Sequence, residues 1–234
     1  MKKMSNICYI LMCAFIIMFT LSGCGKATTK SIVMNNLAEV RYNVFEGESE
    51  NFSITFMSGM REDPYCADGL ANPLIEFGVI TLVSKNEGAV YDAAQKKYTI
   101  TIDFNSYNGD FDINPFDRSL VADIQKVVSD TSNISIQVLV ADITEIVTLT
   151  NGLSNATINY DKALTLALNE LKTEIKPLIK NKQLHAEVYI KIITDLNRTF
   201  NKFYWYVALL DDSGKTIAVI IDPISGELVA KRAE

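Results

Sequence analysis

The chain has 234 residues, with 28 acids against 22 lysines and arginines and a formal net charge of −6. That balance, with no run of basic residues, argues against nucleic acid as a partner and against electrostatic docking on anionic lipid. A single histidine argues against a His-based zinc site.

The N-terminus carries an address. Lys2 and Lys3 precede an uncharged apolar run from Ile7 to Leu21, which ends on Leu21-Ser22-Gly23-Cys24. This is a positive n-region, an apolar h-region and small residues before a cleavage point. The run falls short of the roughly 20 apolar residues that cross a bilayer. An ordinary secreted signal and an uncleaved anchor helix are the competing readings.

Leu21-Ser22-Gly23-Cys24 closely resembles the lipobox of bacterial lipoproteins. The resemblance implies that the Cys24 thiol takes a diacylglyceryl group and that Cys24 becomes the first residue of the mature chain. Two acyl chains hold a protein stably on a membrane where one holds it marginally. The expected location is the extracytoplasmic side of the cell membrane. Cleavage after residue 23 removes Lys2 and Lys3, leaving 20 basic residues against 28 acids, a net charge of about −8. Cys8 and Cys13 leave too, so Cys66 is the one free thiol and no intrachain disulfide forms.

After a polar tether over 24–31, strands are expected at Leu37–Phe45 and where Phe52, Ile54 and Phe56 alternate with Ser53 and Thr55. Residues 58–73 read as a long loop. Leu74–Val83 reads as a strand buried on both faces. Tyr98, Ile100, Ile102 and Phe104 alternate with polar residues, Asp103 pointing outward. Asp117 is an expected N-cap, with Phe116 and Val121 as a hydrophobic staple. The stripe Leu120, Val121, Ile124, Val127 and Val128 then predicts a helix.

Alternation returns at Ile134, Ile136, Val138 and Val140, followed by a strand ending near Leu149. Tyr160, Leu164, Ala167, Leu168, Leu171 and Ile175 share one helical face, and Pro177 ends that helix. Strands follow at Leu184–Ile193, Lys202–Leu210 and Lys215–Ile221, with a hairpin turn at Asp211-Asp212-Ser213-Gly214 and another turn at Asp222–Gly226. Strands in runs with two main amphipathic helices point to an α+β fold with antiparallel sheets. The organisation expected is a signal peptide at 1–23, the tether at 24–31, a β-rich α+β domain at 32–157 and a second α+β domain at 158–234.

The amphipathic helix from Asp161 to Ile175, the turn Asp212-Ser213-Gly214-Lys215, and Asp222-Pro223 with Gly226-Glu227-Leu228 resemble a PepSY domain. The resemblance covers about the last third. It implies a small α+β module without catalytic residues, proposed in that family to inhibit or control proteases at the cell surface.

Candidate chemistry is thin. Asp103, Asn105, Asp110, Asp112, Asn114 and Asp117 are rich in oxygen, but an EF-hand read from Asp110 puts Pro115 and Val121 where Gly and Glu belong. Cys66 and His185 match no cysteine-protease signature. No Gly-x-Ser-x-Gly, phosphate loop or zinc spacing occurs. In Phe203-Tyr204-Trp205-Tyr206, Phe203 and Trp205 share one strand face with Val207 and Leu209. Tyr204 and Tyr206 point the other way and form a candidate partner surface. The sequons at Asn51, Asn133, Asn155 and Asn197 read as chance in an Asn-rich chain.

The expected function is a lipid-anchored, non-catalytic binding or regulatory module with a protein partner at the cell surface and no cofactor. The alternatives are a surface cysteine hydrolase using Cys66 and a small-ligand-binding lipoprotein of a transporter.

Overall fold

The computed structural model describes residues 28–63, 73–86, 93–126, 133–194 and 203–233. Thr28 opens it as an N-cap, its hydroxyl accepting from the Ser31 amide at 3.2 Å. Helix α1, Thr29–Met34, follows and buries Ile32 and Val33. The tether expected through residue 31 is therefore corrected: residues 29–31 belong to a helix, because the cap satisfies its first turn and the buried pair holds it down.

Strands β1 (Leu37–Glu48), β2 (Phe52–Glu62) and β3 (Leu74–Ser84) form an antiparallel meander. Beyond β3 lie β7 (Leu120–Ile124) and β6 (Asp112–Ile113). The other edge of β1 serves two partners. Its start, Leu37–Val40, pairs in parallel with β12 (Ala186–Thr194), while Phe45 and Glu46 pair antiparallel with β9 (Ile143–Asn151). From β9 the sheet continues through β8 (Ile134–Val140), β4 (Lys96–Ile102) and β5 (Asn105–Asp110). From β12 it continues through β13 (Phe203–Asp211), β14 (Thr216–Ile221) and β15 (Leu228–Arg232). These strands make one 13-stranded sheet, and β1 with β12 is its one parallel pair among the described residues.

Two cores line this sheet. In the first, the strands curl toward a barrel, and Phe45, Phe52, Phe56, Ile100, Ile136 and Leu149 fill the inside. Tyr98 and Phe111 close it with rings 5.2 Å apart. The second core is covered by helices. Helix α2 (Tyr160–Glu170) is capped by Asn159, whose Oδ1 accepts from the Lys162 amide at 2.9 Å. It buries Ala163, Leu164 and Ala167 in one cluster with Val188, Ile190, Trp205 and Val207. Helix α3 (Lys172–Ile175) and a 3-10 turn at Lys176–Leu178 complete it, with Pro177 stopping the helix since it offers no backbone N–H. The short β10 (Ile179–Lys180) and β11 (Gln183–Leu184) pair with each other.

Val40 and Val44 belong to the helix-covered core and Phe45 to the barrel core, so the chain segments 32–157 and 158–234 share β1 as a common wall. The register of β1 against β2 shifts between Arg41 and Asn43. Gly59 sits across from that shift, and a Cβ there would lie 1.9 Å from the Val40 carbonyl oxygen. Only glycine lets the strands approach so closely.

The fold is mostly antiparallel sheet with a few short helices, so α+β describes it only loosely. The helix expected after Asp117 is instead the strand β7: Leu120, Ala122 and Ile124 point inward and pair across β3. Leu120, Ala122 and Ile124 also fit a period of two, and pairing with β3 decides for the strand. Asp117 accepts from the amide and hydroxyl of Ser119, a local turn rather than a cap, and Phe116 is exposed. The remainder of that stripe, Val127 and Val128, lies outside the described residues. Phe104 is also exposed, because Asp103 and Phe104 form a turn at φ 46° and 71° instead of continuing β4. Strand β2 continues to Glu62 where a loop was expected from residue 58. β3 buries Ile80 and Leu82 on one face while Val79 and Thr81 on the other stay half-buried. β15, not anticipated from the sequence, adds an exposed edge strand.

Candidate functional site

Among the described residues, the helix-covered half of the sheet has helices on one face only. Along β13, Phe203, Trp205, Val207 and Leu209 enter the core, and the Trp205 indole N–H donates to the Ile158 carbonyl at 2.7 Å. The period of two then puts Tyr204 and Tyr206 on the opposite face, both half-buried. Antiparallel register completes that face: Tyr206 lies across from Lys191 and Ile220, Tyr204 across from Ile193, and Ala208 across from Tyr189 and Ala218. Ala208 and Ala218 are only 2% and 3% exposed. The result is a small-residue floor with tyrosines beside it.

A charge network borders this floor. Glu39 on β1 is buried between Arg41, which donates to its Oε1, and Lys191, whose Nζ lies 2.6 Å from its Oε2. Burial pushes the Glu39 carboxyl up, but the two cations outweigh it and hold it below the usual carboxylate range. Lys191 also sits 4.6 Å above the Tyr189 ring centre. Tyr189 donates its hydroxyl to Glu187 Oε2 at 2.5 Å, and burial together with that carboxylate raises its pKa well above that of a free phenol. Further along, the Arg61 and Arg41 guanidiniums lie 4.6 and 5.7 Å from the centre of the Phe77 ring. Arg61 reaches Asp123 at 3.7 Å. Such cation–ring contacts gain strength where water is partly excluded. The face can dock a partner through aromatic contact and oriented charge.

Of the residues singled out in the sequence, Tyr204 and Tyr206 come together here. Cys24 and Cys66 lie outside the described residues. His185 is exposed, with Nδ1 3.7 Å from Asp212 Oδ2. Members of the oxygen-rich stretch serve the fold: Asp103 accepts from the Asn133 amide just before β8, and Asn114 accepts from the Phe116 amide in a local turn. Among the described residues, no group of three or more His, Cys, Asp or Glu is placed to hold a metal. None of the described helices is long and apolar enough to cross a membrane.

Tyr189, Lys191 and Glu39 were not anticipated as site residues. The alternation of Glu187, Tyr189 and Lys191 with Val188, Ile190 and Ile192 signals an outward face, but nothing local to β12 identifies β1 as its neighbour. A cavity of about 320 Å³ lies at the border of the helix-covered core beside Tyr42, Tyr160 and Trp205. Its amides serve the fold: Asn151 Oδ1 accepts from the Leu153 amide, Asn159 caps α2 and Asn43 donates to Ser58. Comparison with protein-family models, with curated proteins and with solved structures finds no match to this chain.

Proposed function

We propose that this chain is a lipoprotein held on the extracytoplasmic side of the cell membrane through Cys24, and that its folded part is a non-catalytic binding module. Its docking surface is the uncovered sheet face carrying Tyr189, Tyr204 and Tyr206, and its partner is a protein at the cell surface. The one observation that carries the binding role is the asymmetry of the C-terminal sheet. Helices bury one face, and the other keeps three tyrosines around a buried alanine floor. Tyrosines on such a surface supply large contact area at low entropy cost. The anchor rests on Leu21-Ser22-Gly23-Cys24 and the charged, then apolar, segment before it. The succession α2, β12 and the hairpin β13–β14 supports a PepSY-like regulatory role for residues 158–234.

Two measurements test this. Mass spectrometry of the native N-terminus should show an acylated Cys24, and a bare chain starting at Met1 removes the anchor. Cross-linking on intact cells should recover one surface protein with the native chain. The Tyr204→Ala, Tyr206→Ala double variant should weaken that capture at least tenfold, since anchor tyrosines are worth about 2 kcal/mol or more each. Equal capture by both chains would overturn the assignment of this face.

A further inference from the structure

The start of the described chain lines a second concave surface, on the helical side. Lys30 of α1, Leu168 of α2, Lys172 and Ile175 of α3, Lys176 and Ile179 border a groove of about 690 Å³. Its lining includes three lysines and no carboxylate, in a chain with 28 acids and 22 basic residues. The nearby acids are already engaged. Asp161 is 2.6 Å from Lys30, and Glu174, between the other two lysines in sequence, turns away to Lys231 at 2.7 Å. Among the described residues, Lys172 and Lys176 have no ion pair. The sequence shows no basic run because this cluster is assembled from residue 30 and residues 172–176, which only the fold brings together.

The groove is also placed at the tether. Thr28 and Thr29 line it. Three residues lie between Cys24 and Thr28, and the four chain steps span at most roughly 14 Å. An acyl group on Cys24 would therefore keep Thr28, at the border of this groove, within roughly 14 Å of the bilayer surface. We propose that the groove rests on the membrane, with Lys172 and Lys176 against anionic lipid headgroups and Leu168 and Ile179 toward the interface. This rests on the anchor reading above. Docking in this way orients the molecule on the membrane surface.

Lysine footprinting tests it on the acylated protein as its host cell makes it, reconstituted in vesicles of phosphatidylcholine alone or with about one third phosphatidylglycerol. On the anionic vesicles Lys172 and Lys176 should be labelled at least about fivefold more slowly, the factor equivalent to about 1 kcal/mol of attraction per lysine near such a surface. Exposed Lys97 and Lys215 should not change. High salt should abolish the protection. Equal labelling on both vesicle types, with Cys24 shown by mass to be acylated, would overturn the docking and leave the anchor standing. A chain found without acyl groups would overturn both, since nothing would then hold the groove at the bilayer.

Discussion

The two halves of the sheet solve the same burial problem differently. In the barrel half, strands curl until their own inner faces cover one another, and Phe52, Phe56 and Ile136 are sealed by other strands. In the C-terminal half, α2 and α3 cover one face and nothing among the described residues covers the other. A sheet that closes on itself uses its apolar face internally. One covered on a single side has a face left for contact, and there Tyr189, Tyr204 and Tyr206 stay half-buried, whereas Tyr98 of β4 is buried in the barrel core. The difference also separates residues that hold the fold from residues free to hold something else.

The strongest challenge to that comparison is Trp205→Ala. It should cost about 3–5 kcal/mol, the usual range for emptying a buried tryptophan site, and it also frees the Ile158 carbonyl. Because β1 walls both cores, urea unfolding followed by circular dichroism should show one transition shifted to lower denaturant. Two transitions, with the barrel half unchanged, would make the halves independent. Next, Gly59→Ala should cost about 3 kcal/mol, because the Cβ meets the Val40 carbonyl oxygen and backbone must move. A wild-type midpoint would mean that the crease between the halves yields without cost.

Smaller and pH-dependent is Glu39→Gln, at about 1–2 kcal/mol near neutral pH once the partial exposure of Arg41 and Lys191 is allowed for. The Glu39 carboxyl is held low in the fold, so its stabilisation is present above the ordinary value of 4.5 and is lost as pH falls through the lowered folded value. The gap between wild type and variant should therefore narrow in acid, as read by urea midpoints at pH 7 and pH 3. The least effect is expected from Tyr206→Ala, within about 1 kcal/mol, as for a half-buried side chain on an open face. A loss as large as that of Trp205→Ala would show this face to be structural rather than available.

Local chemistry made much of the fold legible. Alternation announced the strands at Phe52–Phe56, Tyr98–Ile102 and Ile134–Val140, and helical spacing with Pro177 located the helical stretch Tyr160–Ile175, expected as one helix but divided at Leu171 into α2 and α3. Failures came where two periods fit the same residues, as at Leu120–Ile124, or where a short element owes its existence to burial, as α1 does. Of the candidate site, the outward direction of Tyr204 and Tyr206 followed from Trp205 facing inward. The Glu39–Lys191 pair and the groove lysines did not, because each joins residues far apart in the chain through the β1–β12 pairing or the packing of α1 near α2.

The shared strand β1 has a mechanical consequence. A pull on the tether enters at Thr28, passes through α1 and runs along β1, which is hydrogen-bonded to β2 on one edge and to β12 and β9 on the other. Tension in that direction loads the rungs in shear, so many must yield together instead of opening one after another. With the anchor proposed at Cys24, the end of the chain that bears it is also the end built to resist extraction by force.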